Sequence, residues 1–474
     1  MIYDVAINIP KHVNELLNML NKYNYESFVI GGCVRDSLLN LSPHDWDITT
    51  NATPDEMIQL FKKEHLEVLP VGLKFGTVVV VYKGNNYEIT TYRSDGIYED
   101  GRRPNSVTFE TTLEADVLRR DLTINALAYN PSIGLVDYVG GYEDLQHGEL
   151  RFVGNIVDRL NEDSLRALRA VRFLCKFNFR YSREDLDILC NHFQNNYNRI
   201  SMERITQEII KLFEYKNISI DNLDIFVRLL SETVIPEIKP MINCTQINVH
   251  HIYDVYYHTI NVMYNCMECG DPRLMFAALF HDIGKPIVKK TSEDGTEHFT
   301  GHPDESAKIA REVLLRLKVS TSFVEDVVYL VKIHDSFNQG FKIRNIRRFV
   351  AKTPKKQLER WLKLRSSDVA SQAYFVAKTQ NLKDVCDAVN QVLEDGTAIT
   401  LSDLKINGND ILALGINDKR NIKHILNELL SNCYGSPSLN NRDWLMKYAA
   451  KLVKRCNNNP KWAEEHWLSK DNKK

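Results

Sequence analysis

No run in this 474-residue chain approaches the roughly 18 apolar residues that a membrane-spanning helix needs, so no membrane-embedded class is expected. Met1 to Leu20 has neither a continuous apolar stretch nor a cleavage site, and no signal peptide is expected. The nine cysteines are odd in number and lack framework spacing, which argues against a disulfide scaffold and for free thiols in a reducing cytoplasm. Cys266-Met267-Glu268-Cys269 is a lone CxxC. With no second pair near it, it reads as idle or buried thiols rather than a zinc or redox centre. A strong net charge is missing too: 60 basic against 62 acidic residues leave −2, which does not announce a nucleic-acid binder. No internal repeat and no low-complexity tract is present.

What is present is ordinary globular material, 43% hydrophobic and 26% charged, long enough for three or four domains. Its charge is uneven. Between Lys342 and Arg365 there are ten basic residues and one acidic, Glu359, and the chain from Arg442 onward is basic as well. Local patches rather than net charge set phosphate affinity, although such runs are also what solvated helix faces look like.

One stretch organises the rest: Gly31-Gly32-Cys33-Val34-Arg35-Asp36, then Asp45-Trp46-Asp47-Ile48-Thr49-Thr50. Read as a strand, Asp45 to Thr49 points both carboxylates to one face and Trp46 and Ile48 into a core. Paired carboxylates suit two Mg²⁺ ions for phosphoryl transfer. The glycines let a backbone approach a triphosphate, and Arg35 supplies a fork of donors for phosphate or ribose oxygens.

Around this stretch the patterns are local. Lys11 to Tyr23 reads as a helix with Val13, Leu16, Leu17 and Leu20 inward. Phe28 to Ile30 reads as a buried strand, Val34 to Leu41 as a helix, and Thr53-Pro54-Asp55 as a helix start. Gly76 to Tyr82 and Tyr87 to Tyr92 read as a hairpin closed by Lys83 to Asn86. Ser94 to Val107 is a polar loop of functional length. Leu122, Ala126 and Tyr129 in Arg119-Arg120-Asp121-Leu122-Thr123-Ile124-Asn125-Ala126-Leu127-Ala128-Tyr129 have helical spacing, with Asp121 as cap and Arg120 at the start.

From Glu162 the chain reads as continuous helix, with Asp163, Arg166 and Arg169 in one sector and Arg172 drifted to the other side. An Asp–Arg pair can test a base edge. Cytosine and adenine both offer an exocyclic amine beside an unprotonated ring nitrogen; uracil and guanine do not. Another helix starts at Ser201-Met202-Glu203-Arg204, and Pro236 to Pro240 marks a boundary. Beyond it, His281-Asp282-Ile283-Gly284-Lys285 stands among His258, His302, His334-Asp335 and Asp368, residue types that bind divalent metals when successive helices bring them together. Trp444, Trp462 and Trp467 lie among lysines in the tail, fit either for RNA contact or for a small core.

GGCVRD, DWD, RRDLTINALAY, DYVGGYEDL and EDSLRALR, in that order, resemble the class II tRNA nucleotidyltransferase and bacterial poly(A) polymerase family of the polymerase-β superfamily. The middle block resembles an HD metal-dependent phosphohydrolase domain. The resemblance implies an α+β fold, mostly helical overall. Residues 1–150 would be a small nucleotidyltransferase head with a mixed sheet, followed by all-α parts: a neck (151–235), an HD domain (241–370) and a tail contacting tRNA (371–474). It implies that Asp45 and Asp47 bind Mg²⁺, with Glu88 or Asp121 as a third carboxylate. Gly32, Arg35 and Arg120 would hold the nucleotide, and Asp163, Arg166, Arg169 and Arg172 would complete its pocket. His258, His281, Asp282 and Asp368 would bind a divalent transition metal, with His302 and His334 available to a second ion.

The implied activity is template-independent addition of CCA to tRNA from CTP and ATP, in the cytoplasm. Leu73 to Val78 and the loop carrying Glu99, Asp100, Arg102 and Arg103 favour the full CCA-adding type, the loop acting as a lever between C and A addition. The alternatives are an A-adding enzyme, a poly(A) polymerase, an HD phosphohydrolase acting on RNA 3′ ends or nucleotides, and a non-enzymatic RNA-binding protein.

Overall fold

The computed structural model describes residues 1–96, 106–247, 253–338, 340–372, 375–394, 398 and 400–459. Glu99, Asp100, Arg102, Arg103, Trp462 and Trp467 lie outside the described residues. The chain forms two compact units. One holds residues 1–239 with 267–272 and 313–319, the other 240–266, 273–312 and 320–474.

The first unit is built on a mixed eight-stranded sheet. Its strands are β1 (Ile2–Tyr3), β2 (Ser27–Ile30), β3 (Ile48–Thr50), β4 (Glu67–Leu69), β5 (Thr77–Tyr82) and β6 (Asn85–Thr91), with β9 (Ala128–Asn130) and β10 (Gly134–Val136). A separate small hairpin pairs β7 (Arg93–Asp95) with β8 (Val107–Phe109). The sheet order is β1-β10-β9-β2-β3-β6-β5-β4. Helix α1 (Lys11–Lys22) buries Val13, Leu16, Leu17 and Leu20. Helix α3 (Pro54–Lys63) starts at a capping box between Thr53 and Glu56.

The pairing pattern gathers distant residues at one end of the sheet. β2 runs antiparallel to β3, so its exit lies beside the entry to β3, and Ile30 N–H donates to Asp47 C=O at 3.0 Å. β9 also runs antiparallel to β2, and Gly31 N–H donates to Leu127 C=O at 3.0 Å. β6 is parallel to β3 with Ile89 opposite Ile48, which brings Glu88 to the same end as Asp47.

Several local readings change. The strand after the Asp pair is only Ile48–Thr50, so Asp45 and Asp47 lie in the segment leading into it, and Trp46 is half-buried rather than in the core. Helix α2 occupies Gly32–Leu38. In the β5–β6 hairpin Tyr82 pairs with Asn85, leaving a two-residue turn of Lys83 (φ +50°) and Gly84 (φ +80°), the twist a tight hairpin needs. Within the loop read from Ser94 to Val107, Ser94 and Asp95 belong to the small hairpin.

After helix α4 (Leu113–Leu118), residues Thr123–Asn125 make one 3₁₀ turn and Ala128 begins a strand, so the predicted helix is absent. Short apolar runs do not separate the two periods, and here pairing with β2 and β10 prevails. Helix α5 (Gly141–His147) packs tightly on that turn: a Cβ at Gly141 would lie 2.1 Å from Thr123 C=O.

The neck is not one helix from Glu162. Helix α6 (Ile156–Glu162) ends, Asp163 is extended (φ −146°), and helix α7 (Leu165–Phe177) begins. Asp163 Oδ1 accepts from Leu165 N–H at 3.1 Å, so the break caps the helix that follows. Helices α8 (Arg183–Asn196), α9 (Met202–Phe213) and α10 (Ile220–Ser231) complete the unit's helical layer.

The second unit is largely helical among its described residues. It contains α11 (Val255–Cys266), α12 (Pro272–Phe280) from Arg273 on, α13 (Lys285–Val288), α14 (His302–Arg316) up to Glu312, α15 (Thr321–Ile333), α16 (Ile343–Lys352), α17 (Lys355–Ala370) and α18 (Phe375–Glu394). After them, α19 (Gly408–Ala413), α20 (Asn421–Cys433) and α21 (Arg442–Asn458) surround a separate core that includes Ile411, Leu429 and Leu445. The basic run at 342–365 is not one open face. Arg347 is buried and donates to Tyr434 C=O, and Arg365, 2% exposed, donates to Ser336 C=O and Asn381. All nine cysteines are free thiols, and no described helix is long and apolar enough to cross a membrane.

Candidate nucleotide site and candidate metal centre

A cleft of about 610 Å³ in the first unit is lined by Gly31, Gly32, Arg35, Asp47, Arg119, Arg120, Asp121, Asn125, Asp163, Leu165, Arg166, Arg169, Phe173, Arg204, Gln207 and Glu208. Six arginines against four carboxylates make it suited to a polyanion. Its floor is the gathered end of the sheet, and one wall is α7 with α9. Gly31 has φ +85°, and a Cβ there would stand 3.4 Å from Arg120 Nη1, so backbone rather than side chain faces the cleft.

Asp47 lies at this floor beside Asp45 and Glu88. Solvent reaches it, but the surrounding protein partly desolvates it, and the charges of Glu88 and Asp45 add to that. Together they raise its carboxyl above the usual range despite Arg120 nearby. Carboxylates crowded to mutual cost fit a bound cation. Asp121 stands differently. Its Oδ2 takes Arg169 at 2.9 Å and its Oδ1 takes Leu122 N–H at 2.8 Å. Burial acts to raise it, but Arg169, the Leu122 N–H and Arg166 outweigh burial and bring it down to about 2. Its oxygens are committed to these partners, whereas the charge of Glu88 acts on Asp47.

Arg35, 5% exposed, donates to Asp36 at 2.8 Å and to Asn125 Oδ1, with Phe173 and Phe177 each 5.0 Å from its guanidinium. Arg120 bonds Asp116 at 3.1 Å, and its buried Nε has no hydrogen-bond partner among the described residues.

The side chains of Asp163 and Arg166, placed in one sector by helical spacing, have other partners in the structure. Asp163 is held by Arg204 at 2.6 and 3.3 Å, and Arg166 bonds Glu162 and Arg159 C=O. Both still line the cleft, because the break at Asp163 aims its carboxylate inward. Arg172 does not line it. It is 5% exposed, bonds Glu208 at 2.6 Å and Tyr215 Oη, and stacks 4.2 Å from Phe173. Arg204, Glu208 and Asn125 went unassigned in the sequence. A faint signal existed for the first two, an i, i+4 Arg–Glu pair on α9.

In the second unit, Asp282 is shared between two groups. Its Oδ2 lies 3.2 Å from His281 Nε2 and 3.6 Å from His258 Nε2. Its Oδ1 lies 3.3 Å from His302 Nε2 and 3.7 Å from His334 Nε2. Asp368 reaches His258 Nε2 at 3.1 Å. The Nδ1 atoms of His281, His302 and His334 face the carbonyls of Ala278, Phe299 and Val331 at 2.7, 2.9 and 2.7 Å. Donation there leaves Nε2 with its lone pair toward the centre, the tautomer a metal ligand needs. Ligand atoms in each of the sets His258/His281/Asp282 and Asp282/His302/His334 lie within 4.8 Å of one another, a geometry that fits metal ions. His302 and His334 are therefore as central as the four residues singled out from the sequence.

Comparison with known proteins divides the chain along the same lines. Residues 27–151 match the poly A polymerase head domain and residues 255–371 the HD domain. A CCA-adding enzyme of Oceanobacillus iheyensis is 45% identical over 204 residues, 43% of this chain and 50% of that protein. One of Staphylococcus saprophyticus is 40% identical over 214 residues, 45% of this chain and 52% of that protein. The chain thus spans about half the length of the curated relatives it matches. The Bacillus stearothermophilus CCA-adding enzyme in complex with CTP superposes with a TM-score of 0.63 at 24% identity, covering 94% of this chain and 99% of that one. The Thermotoga maritima CCA-adding enzyme complexed with tRNA superposes at 0.59 and 20% identity, covering 94% and 96%. These two likenesses are of fold.

Proposed function

We propose that this chain is a CCA-adding tRNA nucleotidyltransferase carrying an HD domain, adding C, C and A to tRNA 3′ ends from CTP and ATP without a template. The observation that carries it is the cleft: backbone at Gly31–Gly32 and six arginines facing a carboxylate edge. Asp45, Asp47 and Glu88 would hold Mg²⁺, since relief of their mutual repulsion favours a cation. When bound, the ion supplies charge neutralisation at the reacting phosphate. Arg35 and Arg120 grip the nucleotide beside Gly32, and Arg169, tied to Asp121, steadies the cleft wall.

Asp163 accepts from the exocyclic amine of cytosine or adenine, and Arg166 donates to the ring nitrogen. In the free protein Arg204 and Glu162 occupy these groups, so a base enters by exchanging hydrogen bonds rather than by desolvating bare charges. Basic surface in the tail contacts tRNA. The cytoplasm is the compartment this work requires. A-only addition and poly(A) synthesis are the competing outcomes.

The shared Asp282 supports a second activity, hydrolysis of phosphate esters on RNA 3′ ends or nucleotides by an HD centre loaded with a divalent transition metal. The test of the main reading is incubation with tRNA ending at the discriminator base and with tRNA ending in CC, with CTP and ATP apart and together. Products ending in CCA from both substrates support it. Growth of an A tail, or extension of the CC substrate alone, replaces it.

A further inference from the structure

We propose that Asp116 is a positioning residue, the buried yoke that sets Arg120 for the nucleotide. This rests on the function proposed above for the cleft. Asp116 is completely buried on α4, and each of its oxygens serves one arginine. Oδ1 accepts from Arg119 at 2.6 and 2.9 Å, and Oδ2 accepts from Arg120 at 3.1 Å. The two guanidiniums together outweigh the effect of burial on this carboxyl and keep it ionised.

The yoke is braced on one side and working on the other. Arg119 Nη1 also lies 3.6 Å from Asp95 on the β7–β8 hairpin, so that arginine is held between two carboxylates. Arg119 C=O accepts from Arg166 Nη2 at 3.5 Å, which extends the support to a base-reading side chain. Among the described residues, Arg120 hydrogen-bonds Asp116 and makes a weak 3.5 Å contact to Asn125 C=O, while its Nε has no hydrogen-bond partner there. A long side chain in a cleft loses rotamer freedom on binding unless something has already fixed it. The Asp116 carboxylate does that from behind, leaving the open face of the guanidinium for the ligand.

Asp116→Asn keeps the shape and removes the charge. Asp116→Glu keeps the charge and shifts both guanidiniums. Each is assayed with tRNA ending at the discriminator base and CTP, alongside Arg120→Lys and the double variant Asp116→Asn/Arg120→Lys. The expected result is a rise of about tenfold or more in KM for CTP with kcat changed less, and a double variant no worse than Arg120→Lys alone. A folded Asp116 variant with the parent's KM, or strictly additive effects with Arg120→Lys, overturns the proposal. Asp116→Glu decides the matter if Asp116→Asn fails to fold. A parent chain that adds no nucleotide at all refutes the activity itself, a result distinct from either.

Discussion

Arg172→Ala separates a structural arginine from a nucleotide ligand. Arg172 and Glu208 are each about 5% exposed at their side chains, so the pair is out of water. Truncation leaves Glu208 buried with weaker company, Lys211 at 3.8 Å and Arg169 at 3.9 Å. Breaking a buried pair from one side costs about 3–5 kcal/mol, and the remaining cations place this case at the low end, about 3 kcal/mol. Loss of the stack on Phe173 adds about 0.5–1 kcal/mol. Together, about 3.5–4 kcal/mol, these lower Tm by roughly 7–16 °C for a unit of this size. Replacing both partners, as Arg172→Met with Glu208→Leu, should recover much of the loss, because no buried charge is left over. The assay is thermal and urea unfolding beside CTP titration. A variant as stable as the parent but unable to bind CTP would show that Arg172 touches the nucleotide directly, against the geometry.

Asp45→Ala and Asp47→Ala should each abolish nucleotide addition while tRNA binding persists in a filter or gel-shift assay; turnover with Mg²⁺ and CTP would refute the metal assignment. Asp163→Ala and Arg166→Ala should lose discrimination along with rate, admitting UTP and GTP by about 1–3 kcal/mol less penalty, measured as kcat/KM ratios. Asp121 is depressed to about 2 in the folded chain from an ordinary 3.8, so its pairing with Arg169 stabilises fully above about pH 4. That contribution, about 2 kcal/mol, fades as pH falls through 2, so Asp121→Asn should unfold with a shallower acid dependence than the parent in that window. His281→Ala should lower transition-metal content on elemental analysis and leave CCA addition intact, since its ligand set lies wholly in the second unit.

Features that depend on neighbours along the chain were legible in the residue pattern. The apolar stripe of α1, the capping box at Thr53 and the glycines before Arg35 are local patterns with local causes. Gly32, Arg35, Asp47, Arg120, Asp121, Asp163, Arg166 and Arg169, half of the residues that line the cleft, stand in motifs that marked them as candidates, and the head and HD blocks carry different chemistry in the sequence.

Side-chain partners, by contrast, follow from how the elements pack. Asp163 meets Arg204 across 41 residues and Arg169 meets Asp121 across 48, distances over which helical spacing carries no information. That Glu88 lies at the same end of the sheet as Asp47 depends on β6 running parallel to β3, which no local pattern encodes. The helix expected after Asp121 gave way to a strand because pairing on both sides supplies the backbone hydrogen bonds that a short amphipathic run cannot secure alone. Likewise Asp282 became the shared carboxylate only when several helices converged on it, each supplying a histidine aimed by its own backbone carbonyl contact.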